Sequence, residues 1–284
     1  MVHERGSGGK TTMRFTRFSI LAGLLAFAPH GAKAEFTADQ SARMRTADIV
    51  ILGEVHDNPA HHRGQAEIIN RLAPRAVVFE MLSPQQARQV NQSPRDDLTQ
   101  LAQAIGWNAA GWPDFDIYRP VFEALGDVPV AGAALPREAV RAAFDGGAAA
   151  VFGADAARFG LDEALPPAQQ DMRETLQLNA HCAAMPLAMM GGMIEAQRLR
   201  DAQFAATALT ALDQYGGPIV VITGNGHARR DWAVPFMIGL AAPDVQVFSV
   251  GFVEQPAQDN DPRFDATRIT APAPRPDPCI NFKN

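Results

Sequence analysis

Apolar and polar positions fall in alternating blocks along the chain. Short β-branched runs, nearly continuous in apolar residues, stand at 48–52 (DIVIL), 76–80 (AVVFE), 128–131 (VPVA), 219–223 (IVVIT) and 245–253 (VQVFSVGFV). Strands covered on both faces by helices read this way. Longer stretches with helical pattern lie between them, at about 60–73, 84–104, 136–144, 167–180 and 186–214. The order β, α, β, α predicts an α/β fold, a mainly parallel β-sheet flanked by helices. Strand order does not follow from the pattern. From 133 to 217 the alternation stops and only helical signal remains. This predicts a smaller inserted helical subdomain over about 133–214, with 84–120 as a candidate addition. The α/β body would then comprise about 45–132 and 215–255, and a proline-rich tail, 256–284, follows.

The first 34 residues read differently. A short basic start, Met13 to Arg17, precedes the apolar run FSILAGLLAFA, and Ala32-Lys33-Ala34 offers small residues for a signal peptidase. That is the pattern of an export signal, with 1–12 as an upstream extension, and the periplasm or envelope is the expected location. A buried N-terminal helix is the competing reading. No cysteine stands near the cleavage point, so no lipobox is expected. The mature chain would carry 20 Lys and Arg against 30 Asp and Glu, which is no footprint for nucleic acid. In an oxidising compartment the two cysteines, Cys182 and Cys279, are expected to form a disulfide that pins the tail to the body. Thiolate chemistry by His181-Cys182 is the lesser alternative.

Candidate chemistry gathers where strands end. Open parallel sheets bind ligands beyond the carboxyl ends of their strands. Glu54 and His56 follow the first strand, Glu80 closes the second and His227 follows the fourth, in TGNGH. Glu54 and His56 are two apart, so extended backbone turns both to one side. Gly53 is read as permitting a tight exit from the strand. Asp57 or Asn58 is expected to cap the next helix and Pro59 to fill its first turn. His61 and His62 are then read as an exposed polar pair at a helix start. Glu54, His56, Glu80 and His227 suit a metal-free acid/base set, or two carboxylates and two histidines around a divalent metal ion. Fingerprints of serine, zinc-helix and nucleotide mechanisms are absent from the sequence.

A softer set lies in NAHCAAMPLAMMGGM. Met185, Met189 and Met193 are four apart, which on a helix gives one face. The face is either a flexible core seam or an adaptable wall for a large flat ligand such as haem, with His181 beside it. Tyr118, in GWPDFDIYRP, stands with Trp107 and Trp112 as an aromatic lip or as core packing.

The segments LGEVHDNPAHHRGQ, VVFEML, GWPDFDIYRPVFEAL, AHCAAMP with MIEAQRLRDAQFA, and ITGNGHARRDWAVP together resemble the ChaN-like haem-binding uptake proteins, within the wider Tiki and erythromycin-esterase-like superfamily. The resemblance runs from about Asp48 to Val253. It implies a single ChaN-like domain over 35–284 and a role in binding haem for iron uptake at the bacterial envelope. It also implies a homodimer on haem binding, and an outer-membrane haem receptor is the candidate partner. Tyr118, His181, Met185 and Met189 are the candidate haem contacts. Relatives in the superfamily include metal-dependent hydrolases, whose Glu/His motifs match Glu54, His56, Glu80 and His227. An esterase or peptidase is therefore the alternative function.

Overall fold

The computed structural model describes residues 36–257, 260–277 and 279–280, together with 1, 8 and 9. Apart from those three positions, the export signal and extension read over 1–34 lie outside the described residues. Residues Glu35–Asn284 form one compact unit. Its frame is a sheet of β1 (Ile49–Glu54), β2 (Ala76–Phe79), β3 (Val130–Gly132), β4 (Ile219–Gly224), β5 (Val247–Glu254) and β6 (Ala266–Thr270). The spatial order is β3-β2-β4-β1-β5-β6, and every pairing is parallel. The α/β expectation holds, and each of the five expected strands is present. β6 is an addition; its sequence, ATRIT, alternates and interposes an arginine, as an edge strand tolerates.

The helices are α1 (Ala38–Thr46), α2 (Pro59–Leu72), α3 (Pro84–Gln92), α4 (Leu98–Ala104), α5 (Phe115–Leu125), α6 (Arg137–Gly146), α7 (Ala148–Phe152), α8 (Pro167–Ala180), α9 (Met190–Tyr215) and α10 (Val234–Ala241). Local chemistry sets their ends. Asn58 caps α2 by accepting the Ala60 N–H at 2.9 Å, with Pro59 at the first position. The stretch expected as one helix over 84–104 is two, because the chain leaves helix at Ser93 before Pro94 and Asp97 caps a new start. The helix expected from 186 begins at Met190, behind Pro186 and a 3-10 turn over Leu187–Met189. Asp114 caps α5, which carries Pro120 inside it.

Strand residues alternate between two cores. Val50, Leu52, Val77, Phe79, Val220 and Ile222 pack with α2 to α5 on one face. Ile49, Ile51, Ala76, Val78, Ile219 and Val221 pack with α6, α7, α9 and α10 on the other. The helical block over 137–215 is thus the layer that covers the second face. The tail is held at two points. Arg275 pairs with Asp57 at 2.7 Å and Glu254 at 2.6 Å, and the expected disulfide joins Cys182 to Cys279, with Cα atoms 5.4 Å apart. Among the described residues no helix is long and apolar enough to cross a membrane.

Candidate functional site

β2, β4 and β1 are neighbours, so their carboxyl ends open side by side. Glu54 ends β1 opposite Gly224 of β4, and Glu80 directly follows β2. A cleft of about 1590 Å³ opens over these ends and is lined by Glu54, His56, Glu80, Asp201 and His227. All four strand-end residues expected from sequence are therefore brought to one place.

Two imidazoles are held in the same way. His56 Nδ1 lies 2.7 Å from Glu54 Oε1, and His227 Nδ1 lies 2.7 Å from Asp201 Oδ1. Both turn Nε2 toward Glu80 Oε1, at 3.9 Å and 3.8 Å. The second Glu80 oxygen accepts from the Thr223 hydroxyl at 2.6 Å and the Gly224 N–H at 2.8 Å. Gly224 is required by this approach, since a Cβ there would lie 2.9 Å from His56 Nε2. Gly53 serves the same end rather than a strand exit. It lies within β1, and a Cβ on it would meet Asn225 Oδ1 at 2.5 Å.

Charges follow from these contacts. Burial opposes ionisation of Glu54, but hydrogen bonds from His56 and His62 hold its carboxyl well below the usual range. Burial likewise opposes the His56 imidazolium, yet Glu54 lifts it to about 9. Glu80 is kept ionised against burial by the charges of His227 and His56. His227 is raised against burial by Glu80 and Asp201, while burial raises Asp201 itself.

His61 and His62 overturn their expected exposure; both are 0% exposed. His61 Nδ1 accepts the Val55 N–H at 2.9 Å and Nε2 meets Thr270 Oγ1 at 2.9 Å, which fixes a neutral tautomer. Burial pushes it down to about 4. His62 faces acceptors on both nitrogens. Nε2 lies 2.9 Å from the His56 carbonyl, and Nδ1 lies 3.0 Å from Gln65 Oε1 and 3.4 Å from Glu54 Oε2. Both nitrogens donate, so His62 is an imidazolium paired with Glu54. Its affinity for the proton rises accordingly, burial notwithstanding.

The haem candidates divide. Tyr118 is 0% exposed and donates its hydroxyl to Glu54. Burial and that carboxylate push its phenol well above the ordinary value. It is core packing against Trp107, not an accessible ligand. His181, at the end of α8, lines the cleft half-buried. Its Nδ1 lies 2.8 Å from the Gln177 carbonyl and so donates, leaving the Nε2 lone pair uncommitted. Met189 lines the cleft, whereas Met185 sits in a bend before the 3-10 turn. The single helical face expected for Met185, Met189 and Met193 does not form, because α9 starts after both Met185 and Met189.

The metal alternative gains no support from the geometry. Among the described residues no group of three or more His, Cys, Asp or Glu is arranged to hold a metal ion. Glu54 shows why. Its oxygens already accept from His56, Tyr118 and Gln65. Sequence reasoning missed Asp201, which is buried on α9. The signal was present: Ile194, Asp201, Ala205 and Ala208 occupy one helical stripe, and an acid there interrupts an apolar face.

A family model described as haem-binding uptake, Tiki superfamily, ChaN, matches residues 41–238. Among solved structures, one described as cofacial haem binding to ChaN of Campylobacter jejuni is 16% identical. It covers 81% of this chain and 89% of its own, with a TM-score of 0.61. An erythromycin esterase variant in its open conformation is 14% identical, covers 83% and 79%, and has a TM-score of 0.43. A search of the curated proteins finds no match.

Proposed function

The chain belongs to the ChaN haem-binding uptake family of the Tiki superfamily, and from that premise we propose that it is an exported protein that binds haem and serves haem and iron uptake. The observation that carries the reading is the cleft beside His181. Its lining combines apolar Leu135, Val140, Phe144, Leu176 and Met193 with cationic Arg173 and Arg200. A flat apolar macrocycle bearing carboxylates needs both. His181 is the residue fitted to hold iron, since donation from Nδ1 fixes the tautomer that leaves Nε2 as the ligating atom. When bound, haem would supply an iron centre, which the His181 imidazole would hold. The chain's own part is to enclose the ring and orient it.

The basic and apolar leader over 13–34 and the Cys182–Cys279 bond support an exported, oxidising location. Met172, Leu176, Leu187 and Met189 are exposed on α8 and the turn after it, which supports a homodimer on haem binding. Delivery to or from an outer-membrane haem receptor belongs to the same proposal. Titrating haem into the purified protein is expected to give a Soret band that His181→Ala shifts or abolishes. Absence of the band in the wild-type protein refutes haem binding, and an unchanged band in His181→Ala refutes the ligand.

One observation favours a second reading, acid/base hydrolysis of an ester or peptide. Two carboxylate-held imidazoles aim Nε2 at the same Glu80 oxygen, so ionised Glu80 can take a proton from water while an imidazolium protonates a leaving group. Hydrolysis of an ester panel, lost in His227→Gln, tests it; no turnover by the wild-type protein refutes it.

A further inference from the structure

Three of the six arginines that line the cleft have a carboxylate of their own. Arg229 holds Asp231 at 2.6 Å, Arg141 reaches Asp145 at 3.9 Å and Arg263 pairs with Asp261. Of the other three, Arg137 is exposed, whereas Arg173 and Arg200 are not. Arg173, on α8, is only 8% exposed, and its buried Nε has no hydrogen-bond partner. Its Nη2 reaches only neutral oxygens, Gln169 Oε1 at 3.2 Å and the Trp232 carbonyl at 3.4 Å. The guanidinium stacks on Trp232, 4.9 Å from the ring centroid, and so is fixed in direction. Arg200, half-buried on α9, makes no hydrogen bond or ion pair with any described residue. Both line the cleft; Arg173 feels the charge of Asp201, and Arg200 those of Glu80 and Asp201.

Burying a guanidinium without a bonded anion is costly, and removing the counter-charge from a buried pair is among the most destabilising changes known. The nearby acids do not discharge that cost. Asp201 is committed to His227, and Glu80 to Thr223, Gly224 and the two imidazoles. Guanidinium groups with open forks recognise planar carboxylates bidentately.

We propose that Arg173 and Arg200 form a carboxylate-binding subsite of the cleft, so that its ligand is an amphiphile with an apolar body and a carboxylate end. The apolar body lies along Phe144, Leu176 and Met193, which line the same cleft. The subsite stands near His227, which feels the charge of Arg200. It stands on the arginines alone, and it names a feature shared by two sources, the carboxylates of haem and those of a small acyl compound.

Calorimetric titration of the full chain with octanoate, octanamide and inorganic phosphate tests it. Octanoate is expected to bind, octanamide is not, and Arg200→Gln is expected to weaken octanoate by about tenfold or more while the melting temperature stays put. Arg173→Lys, which keeps the charge and loses the fork, is expected to weaken it as well. Equal binding of octanoate and octanamide, binding of phosphate alone, or an Arg200→Gln protein that binds octanoate like wild type overturns the proposal. A competition arm separates the sources. Haem that displaces octanoate, where its dimethyl ester does not, places haem carboxylates on the subsite. Octanoate binding without displacement, or with no haem binding at all, leaves the subsite standing with another carboxylate as its ligand and refutes only the haem assignment.

Discussion

Tyr118→Phe removes one oxygen from the centre of the site and separates two roles for that residue. The ring is wedged between Trp107, 4.9 Å away centroid to centroid, and His62, at 3.8 Å. Phe therefore fills the same space and opens no cavity. What is lost is the hydrogen bond to ionised Glu54 and a longer contact of the hydroxyl with His56 Nδ1 at 3.3 Å; Glu54 Oε1 keeps His56 at 2.7 Å and Oε2 keeps Gln65 at 2.6 Å. Hydrogen bonds to charged groups contribute about 1.5–3 kcal/mol. The carboxylate stays paired, so the loss is expected within that range. Urea unfolding reads it directly. For a chain of this size each kcal/mol moves Tm by about 2–4 °C. The second readout is the haem spectrum. A phenol sealed in the core does not reach iron, so the Soret band of Tyr118→Phe is expected to match wild type. A variant with unchanged stability and a shifted or missing band would place the phenolate on iron and refute the buried-donor role.

Three further outcomes follow from the same network. His62→Ala leaves Glu54 short of its buried cation and is expected to cost about 3–5 kcal/mol by urea unfolding; a loss below about 1 kcal/mol would show that His62 is neutral. Stability is expected to fall on both sides of neutrality, for two opposite reasons. His56 is raised to about 9, so its contribution is complete below 6.5 and vanishes as pH rises through about 9. His61 is lowered to about 4, so the unfolded chain binds the extra proton and stability declines as pH falls from 6.5 through about 4. Thermal melts from pH 4 to 10 should show the alkaline slope reduced in His56→Gln and the acid slope reduced in His61→Gln; unchanged slopes contradict the assignments. Gly224→Ala sets a methyl 2.9 Å from His56 Nε2 and is expected to displace that ring and lower its NMR-observed pKa, with the fold intact.

The strand-end cluster was legible because each polar residue follows an apolar run that has no need of it. What the pattern withheld was that β2, β4 and β1 are adjacent, since strand order is a matter of tertiary packing. The errors over His61 and His62 have one origin, unseen neighbouring elements. His61 is covered by Thr270 of β6, whose ATRIT pattern is too polar to read as a buried strand. His62 is covered by Tyr118 of α5, a helix that carries Pro120 inside it and was not among the expected helices. With neither element expected, a helix start looked bare. Asp201 shows the converse. It lies on a helix whose periodicity is readable, and the charge that breaks the apolar stripe is itself the signal.

Glu54, His62, Glu80, Arg173, Asp201 and His227 are each at most 8% exposed. Folding alone does not call for them. An apolar set of the same volume is commonly as stable or more so, because desolvating charges costs several kcal/mol apiece. What the charged set provides is direction. Glu54 is fixed by four side chains and in turn fixes His56; Asp201, on a helix, fixes His227, on a strand-end turn. The two imidazoles therefore keep their Nε2 atoms toward Glu80 before any ligand arrives, which is the preorganisation that proton transfer and polar recognition both require. His181 has no part in this set; it sits at the end of α8, beside the Cys182–Cys279 bond, with its ring held by the Gln177 carbonyl of that helix. The cleft thus has a rigid floor built from three strands and a lip built from α8. On the two proposed readings haem ligation would draw on the lip and acid/base chemistry on the floor, so His181→Ala and His227→Gln are expected to separate the two activities rather than abolish them together.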